Sequence, residues 1–213
     1  MDVDLAPHDN PLVISYLDLR KAIGLLGLAL PFALLFGGLI FDGRIEQSIS
    51  AFYYTPMRNV LVGTLCAIGV FLSSYRGYDR RDAIAGILGC VFAVGVAMCP
   101  EAPTHATPRQ VVVGYVHYTF AAALFLTLAY FSLRLFTLSS KPRQTPQKLA
   151  RNSVYRVCGW TILGAMALIL VRAALFADRF TQYDPVFWLE SLSVWAFGVS
   201  WGVKGEAILK DQR

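Results

Sequence analysis

The stretch AIGLLGLALPFALLFGGLIF, residues 22–41, decides the class of fold. It is 20 residues long and carries no charged side chain. A helix rises about 1.5 Å per residue, so a run of this length can cross the roughly 30 Å hydrocarbon core of a bilayer. Because backbone polar groups must be satisfied internally in lipid, the run predicts a transmembrane helix.

Further apolar runs follow along the chain. They cover about 59–75, 83–99, 111–133, 157–177 and 186–203, and the first two of these are short for a membrane crossing. Only 15% of the 213 residues are charged, whereas a soluble domain has about a quarter. We therefore expect an all-α polytopic membrane protein, a six-transmembrane-helix bundle that forms a single integral membrane domain over residues 1–213.

The placement of lysine and arginine predicts how the bundle is oriented. Of the 19 basic residues, 14 lie before span one, between spans two and three, between spans four and five, or after span six. Such residues favour the cytoplasmic side, so we expect a multi-pass protein of the cytoplasmic (inner) membrane with both termini in the cytoplasm. The same placement explains the net charge of +5 without a nucleic-acid partner.

Prolines that follow a capping side chain predict where helices begin. A Thr, Asn or Asp side chain can accept a free backbone N–H of the first turn, and proline at the first helical position has no N–H to satisfy. The pairs are Asn10-Pro11, Thr55-Pro56, Thr107-Pro108, Thr145-Pro146 and Asp184-Pro185.

Three ionisable residues, His117, Arg172 and Glu190, lie inside apolar runs. Counted along the helices from the outer ends, Arg172 and Glu190 lie roughly 8 Å deep and His117 about 13 Å deep. Charges at such depth are costly and usually pair inside the bundle. We expect an outward-facing polar pocket in which Glu190 pairs with Arg172 and His117 adds a hydrogen bond. The alternative is an ion pair that only fixes helix packing.

The segment SISAFYYTPMRNV, residues 48–60, is expected at the outer surface above this pocket. Tyrosine is enriched at such interfaces, so two of its three aromatic residues are interpreted as membrane anchors. Arg58 would lie in the first turn of a helix and oppose the helix dipole, which predicts an acidic or lipid-phosphate partner. Acidic residues available on that side include Glu46, Glu101, Asp178 and Asp184. We expect Ser50, Tyr54 and Arg58 to form the rim of the pocket.

The sequence gives no reason to expect a metal or another cofactor. Cys99, Glu101 and His105 have ligand-type side chains but loose spacing, and their segment is interpreted as a solvated loop. The chain contains no H-E-x-x-H or G-x-S-x-G motif and no Walker or dinucleotide-binding glycine pattern.

Several stretches together suggest a family. They are SISAFYYTP after span one, a hairpin around YRGYDRRD, a glycine-rich third span and a histidine early in span four within VHYTFAAALF. Over roughly residues 22–136 this layout resembles the six-span DRAM/Frag/Sfk-type membrane proteins and related uncharacterised bacterial membrane families. More distantly it resembles the ceramidase and adiponectin-receptor type of membrane hydrolase, which uses serine, aspartate and histidines around zinc. Ser50 and His117 match that pattern in type, whereas Glu190-Ser191 stands where its last H-x-x-x-H pair is expected.

These observations favour a non-enzymatic function. We expect the pocket to bind a lipid or small amphiphile, with membrane lipids as partners, or to serve a structural or regulatory role in the membrane. A homo-oligomer is left open. The alternative is a membrane-embedded lipid hydrolase, with or without a metal, in which His117 or Glu190 acts as base or metal ligand and Ser50 as a water-positioning or nucleophilic group. A small transporter is less favoured, since no inverted repeat is visible.

Overall fold

A computed structural model describes residues 16–75, 77, 79–139, 145–175 and 185–209 of the chain. These residues form six α-helices and contain no strand, which confirms the all-α prediction. The helices are α1 (Tyr16–Phe41), α2 (Arg58–Ser73), α3 (Arg80–Met98), α4 (Pro108–Tyr130), α5 (Pro146–Leu175) and α6 (Pro185–Lys204). A 3-10 helix over Ser50–Tyr54 precedes α2, and a π-helical turn over Phe131–Leu135 continues α4.

Five of the six helices are long and apolar enough to cross a membrane, which supports a membrane protein. The exception is α2, which is apolar but has only 16 residues. At a rise of about 1.5 Å per residue, α2 covers about 24 Å, less than the roughly 30 Å of a hydrocarbon core. The sequence run at 59–75 was already short, and the helix is a little shorter still.

The helices form a closed ring in chain order. Each packs against its neighbours in sequence, and α6 closes the ring against α1. Glycines allow this closure, because a Cβ added at Gly24 would lie 2.8 Å from the backbone nitrogen of Gly202 and 2.9 Å from the carbonyl oxygen of Gly198. Small residues let helix backbones approach in this way in lipid.

Two of the predicted helix starts are confirmed with their caps. Helix α4 begins at Pro108, where the Gln110 N–H donates to Thr107 Oγ1 and the Thr107 N–H donates to Gln110 Oε1 at 2.8 Å. Helix α5 begins at Pro146, and the Lys148 N–H donates to Thr145 Oγ1 at 3.2 Å.

The other predicted starts differ in outcome. Helix α6 begins at Pro185 as expected, although Asp184 lies outside the described residues, as do Asn10 and Pro11. Helix α2 begins at Arg58 rather than at Pro56. The reason is that Thr55 Oγ1 accepts the Met57 N–H at 3.1 Å within a turn that links the 3-10 helix to α2.

The two ends of the ring are chemically different. The end formed by the C-termini of α1, α3 and α5 and the N-termini of α2, α4 and α6 is called the site end. The opposite end is called the basic end, since Arg20, Lys148, Arg151 and Lys204 all lie there. An aromatic cluster around Trp201, which is fully buried, fills the ring near the basic end.

Candidate functional site

A partly open cavity of about 570 Å³ lies at the site end, between α4, α5 and α6. This volume is within the range of about 300–1,000 Å³ that is usual for ligand pockets. Most of its wall is apolar and comes from residues such as Ala121, Ala122, Phe125, Met166, Ile169 and Leu170. Its polar groups are contributed by Gln47, Ser48, Glu101, Tyr118, Arg172 and Glu190. The cavity is therefore divided into a large apolar part and a charged part.

Glu190 is held by the backbone of the segment before α2. Its Oε2 accepts the Ile49 N–H at 2.7 Å. Nearby, the Phe187 N–H donates to the Gln47 carbonyl oxygen at 2.9 Å. These bonds fix the 47–50 segment against the first turns of α6, so the segment forms one wall of the cavity.

Glu101 is a second carboxylate of the cavity and comes from the loop between α3 and α4. Its Oε1 accepts the Ser48 hydroxyl at 2.8 Å, and Ser48 Oγ in turn accepts the Ala51 N–H at 2.8 Å. Burial raises the pKa of the Glu101 carboxyl above its usual range, the bond from Ser48 lowers it in part, and the nearby Glu46 charge raises it further. The sequence predicted a solvated loop, whereas in the structure this loop contributes Glu101 to the site.

Arg172 lines the same cavity from α5, but it does not pair directly with Glu190. Ion pairs among the described residues include Asp18–Lys21, Arg44–Glu46 and Arg151–Glu206. Glu190 and Arg172 do not form the expected bridge, because the Glu190 carboxylate accepts the Ile49 N–H of the 47–50 segment instead. The Nε of Arg172 is buried and has no hydrogen-bond partner in the described part of the chain.

His117 has a different place from Arg172 and Glu190. It is 3% exposed and does not line the cavity, although its neighbour Tyr118 does. The His117 Nδ1 lies 2.6 Å from the carbonyl oxygen of Cys99. Because a carbonyl only accepts, Nδ1 carries the proton and donates it. His117 therefore ties α4 to the residue that ends α3, two residues before Glu101.

Ser50 and Tyr54, which were both expected at the rim of the pocket, lie at different depths. Ser50 is buried and lines a smaller cavity of about 50 Å³ inside the ring, next to Glu190. Tyr54 is 49% exposed, and its hydroxyl donates to the Glu101 carbonyl oxygen at 2.8 Å. Tyr54 thus covers the Glu101 loop from outside, whereas Ser50 lies beneath the surface.

Arg58 is exposed and binds an aromatic ring. Its guanidinium carbon lies 4.1 Å from the centroid of the Tyr53 ring, and its Nη2 donates to the Tyr53 hydroxyl. Within the described residues it has no acidic partner, since Glu46 pairs with Arg44 at 3.0 Å and Glu101 binds Ser48. Asp178 and Asp184 lie outside the described residues. A cation over a tyrosine face is itself a favourable contact.

Sequence reasoning missed Glu101 and Ser48 as members of the site. The sequence predicts Glu101 only as a candidate partner for Arg58 and as a ligand-type side chain in a solvated loop, and it gives Ser48 no role. One usable signal was present: Pro100 and Pro103 flank Glu101 and restrict the backbone of a short loop. A carboxylate on so constrained a loop is held over the end of the bundle.

Within the parts of the chain that the structure describes, no group of three His, Cys, Asp or Glu side chains is placed to hold a metal ion. Comparison of the chain with protein-family models, with curated proteins and with solved structures found no match. The fold and the site define a class: an all-helical protein with membrane-length helices and a cavity that is apolar on one side and charged on the other. The resemblance to the DRAM/Frag/Sfk-type proteins stays a prediction.

Proposed function

We propose that this protein binds a lipid or small amphiphile in the cavity at the site end. The observation that carries the proposal is the division of one cavity into two parts. Met166, Ile169 and Leu170 of α5 give an apolar wall, while Arg172 and Glu190 give a charged part. An amphiphile has the same division between chain and head group.

The proposal includes a place in the membrane. The positive-inside rule supports a cytoplasmic basic end, because Arg20, Lys148, Arg151 and Lys204 lie there. The site end then faces outward, both termini are cytoplasmic, and the membrane is the inner membrane. The short α2 is the sixth span in this proposal, with the 3-10 helix Ser50–Tyr54 extending its path at the outer surface.

A substitution that fills the cavity tests this function. In Ala122→Trp the indole would occupy the cavity, and Ala122 lies on its wall. The matched control is Leu126→Trp, one helical turn further along α4, whose side chain is 54% exposed and does not line the cavity. Purified proteins in detergent would be analysed for bound lipid by native mass spectrometry. We expect the amount of lipid bound per protein to fall at least tenfold in Ala122→Trp and to stay at the wild-type level in Leu126→Trp. Equal retention by both folded variants would contradict the proposal.

The hydrolase alternative has one observation in its favour. Ser50 and Glu190 line the same small cavity, so a hydroxyl and a carboxylate are available together. A carboxylate can act as a general base towards a hydroxyl or a water molecule. Incubation with phospholipid vesicles followed by analysis of released fatty acid tests it. Release that is lost in both Ser50→Ala and Glu190→Gln would favour catalysis over binding.

A further inference from the structure

The charges of the cavity do not neutralise one another by direct contact. Glu101 and Glu190 both line the cavity, and they bind two adjacent residues of one segment, Ser48 and Ile49. Arg172 lines it from α5 but is not within salt-bridge distance of either carboxylate. A buried polar group without a partner is expensive, and among the described residues the Nε of Arg172 is such a group, so a bound molecule that supplies a partner for it is favoured.

The carboxylates specify one part of that molecule. Each ionised carboxylate offers about four acceptor positions, and the structure fills few of them. Ser48 occupies one on Glu101, and the Ile49 N–H occupies one on Glu190. A primary ammonium has three N–H donors and a positive charge, so it suits two neighbouring carboxylates. A quaternary ammonium has no N–H to donate and fits less well.

Arg172 specifies the other part. Its Nε is buried without a partner among the described residues, and it lines the same cavity as the carboxylates. A guanidinium matches the oxygens of a phosphate or carboxylate group in geometry and charge. A head group with a cation alone would leave Arg172 unpaired. A head group with an anion alone would add negative charge beside Glu101 and Glu190.

We infer that the cavity takes a zwitterionic amphiphile whose head group carries a primary ammonium and a phosphate. The ammonium binds between Glu101 and Glu190, the phosphate binds Arg172, and the apolar chain lies along Ala122, Phe125 and Leu170. This inference rests on the proposed function and adds the chemistry of the head group. The shared chemistry of a phosphoethanolamine group occurs both in lipids and in water-soluble molecules, so the test separates the two.

The test compares four short-chain probes and one soluble probe on the full chain in detergent. The short-chain probes are a phosphoethanolamine lipid, its trimethylated phosphocholine analogue, the corresponding phosphatidic acid and an alkylamine. The soluble probe is phosphoethanolamine without a chain. Dissociation constants are measured by native mass spectrometry or by ligand-dependent thermal shift. We expect the phosphoethanolamine lipid to bind at least tenfold more tightly than each of the other four probes.

Variants assign the preference to named side chains. Glu101→Gln should reduce the preference for the phosphoethanolamine lipid over the phosphocholine lipid at least threefold. Arg172→Gln should abolish the preference for the phosphoethanolamine lipid over the alkylamine. Glu46→Gln is the matched control, because Glu46 pairs with Arg44 and does not line the cavity. Glu190→Gln removes the second carboxylate but could fail to fold, because Glu190 also binds the 47–50 segment. In that case the ranking of the five probes on the wild-type protein still tests the head-group assignment.

The outcomes separate this inference from the proposed function. Equal binding of all the lipids, lost in Ala122→Trp, would overturn the head-group assignment and leave amphiphile binding in place. Tighter binding of phosphatidic acid or of phosphocholine would overturn the assignment as well. Binding of the soluble probe as tightly as the lipid would retain the head-group assignment and overturn a lipid as ligand. Binding of none of the five probes would overturn both.

Discussion

The two ends of the helical ring use charged side chains in opposite ways. At the site end, Glu101, Glu190 and Arg172 face a cavity and are not paired with one another. At the basic end, charged side chains are packed among protein groups: Arg151 contacts Glu206 at 3.5 Å, and Lys148 Nζ donates to the Phe136 carbonyl oxygen at 2.8 Å. Charges with protein partners stabilise the fold, whereas charges that face a cavity are available to a ligand.

The basic end also contains aromatic rings that cover its cations. The Arg20 guanidinium lies 5.3 Å from the centre of the Tyr75 ring, and the Lys204 amine lies 5.3 Å from that of Phe136. Within the same cluster, the Tyr75 hydroxyl donates to the fully buried Asp82 carboxylate at 3.4 Å. The placement of these basic residues in the sequence predicts only how the bundle is oriented. The structure adds a packing role, which the spacing of the basic residues did not reveal.

The largest expected effect is the loss of stability in Asp82→Ala at the basic end. Asp82 is 0% exposed, lies near Lys204 and accepts the Asp79 N–H in the cap of α3. Its removal takes a negative charge from the neighbourhood of Lys204 and a hydrogen-bond acceptor from the Tyr75 hydroxyl and the Asp79 N–H, and each buried donor that loses its acceptor costs about 1–3 kcal/mol. Thermal unfolding in detergent measures the effect. If the comparison between the ends is right, the remaining folded Asp82→Ala protein keeps its lipid preference.

A surface ion pair at the same end gives the control. Asp18 and Lys21 form an exposed pair at 2.9 Å, and such pairs contribute about 0–1 kcal/mol. Asp18→Ala should therefore change the unfolding temperature much less than Asp82→Ala. Similar effects of the two substitutions would mean that the cluster around Asp82 is not a stabilising unit.

A smaller effect is expected at Glu101, and its size depends on pH. Because the pKa of Glu101 in the folded protein is raised above the ordinary value of 4.5, the folded state binds a proton more readily than the unfolded state. Stability then falls as pH rises through the interval between the two pKa values. Without added lipid, Glu101→Gln should be more stable than the wild type at pH 7, and the difference should disappear below about pH 4.5.

Thermal unfolding of both proteins between pH 4 and pH 8 measures this difference. The charged or titratable groups that face Glu101 or line its cavity are Glu46, Tyr54, Tyr118, Arg172 and Glu190. Glu46→Gln serves as the control, since it removes a charge near Glu101 but keeps the Glu101 carboxyl. A wild type that gains stability over Glu101→Gln as pH rises would show that the carboxylate has a counter-charge at the site end after all.

The contrast between the ends also explains what the sequence could and could not predict. The starts of α4 and α5 were predictable because a cap such as Thr107 and its partner Gln110 are three residues apart. That Arg172 and Glu190 lie at one depth followed from counting residues along helices. The Ser48–Glu101 and Ile49–Glu190 bonds join residues 53 and 141 positions apart. They depend on the path of two loops, which no local pattern encodes.

The role of His117 was hard to predict for a related reason. The sequence shows an ionisable side chain at depth, but its partner is a backbone carbonyl, that of Cys99. Every residue has a carbonyl, so residue types give no signal for such a contact. Side-chain partners at the basic end were equally hidden, because Tyr75, which follows α2, and Trp201 of α6 are far apart in sequence but have ring centroids 5.0 Å apart.

The smallest expected effect is at Arg58, which tests whether a cation at the site end can behave like those of the basic end. Its guanidinium stacks on Tyr53, a contact worth about 0.5–1 kcal/mol at an exposed site. In a double-mutant cycle of Arg58→Ala and Tyr53→Leu, thermal unfolding should give a coupling energy of that size. If a lipid phosphate were the true partner, the coupling would be near zero and the effect of Arg58→Ala would grow with the anionic lipid content of the bilayer. The geometry predicts the first result, because the ring already covers the cation, as Tyr75 covers Arg20 at the other end.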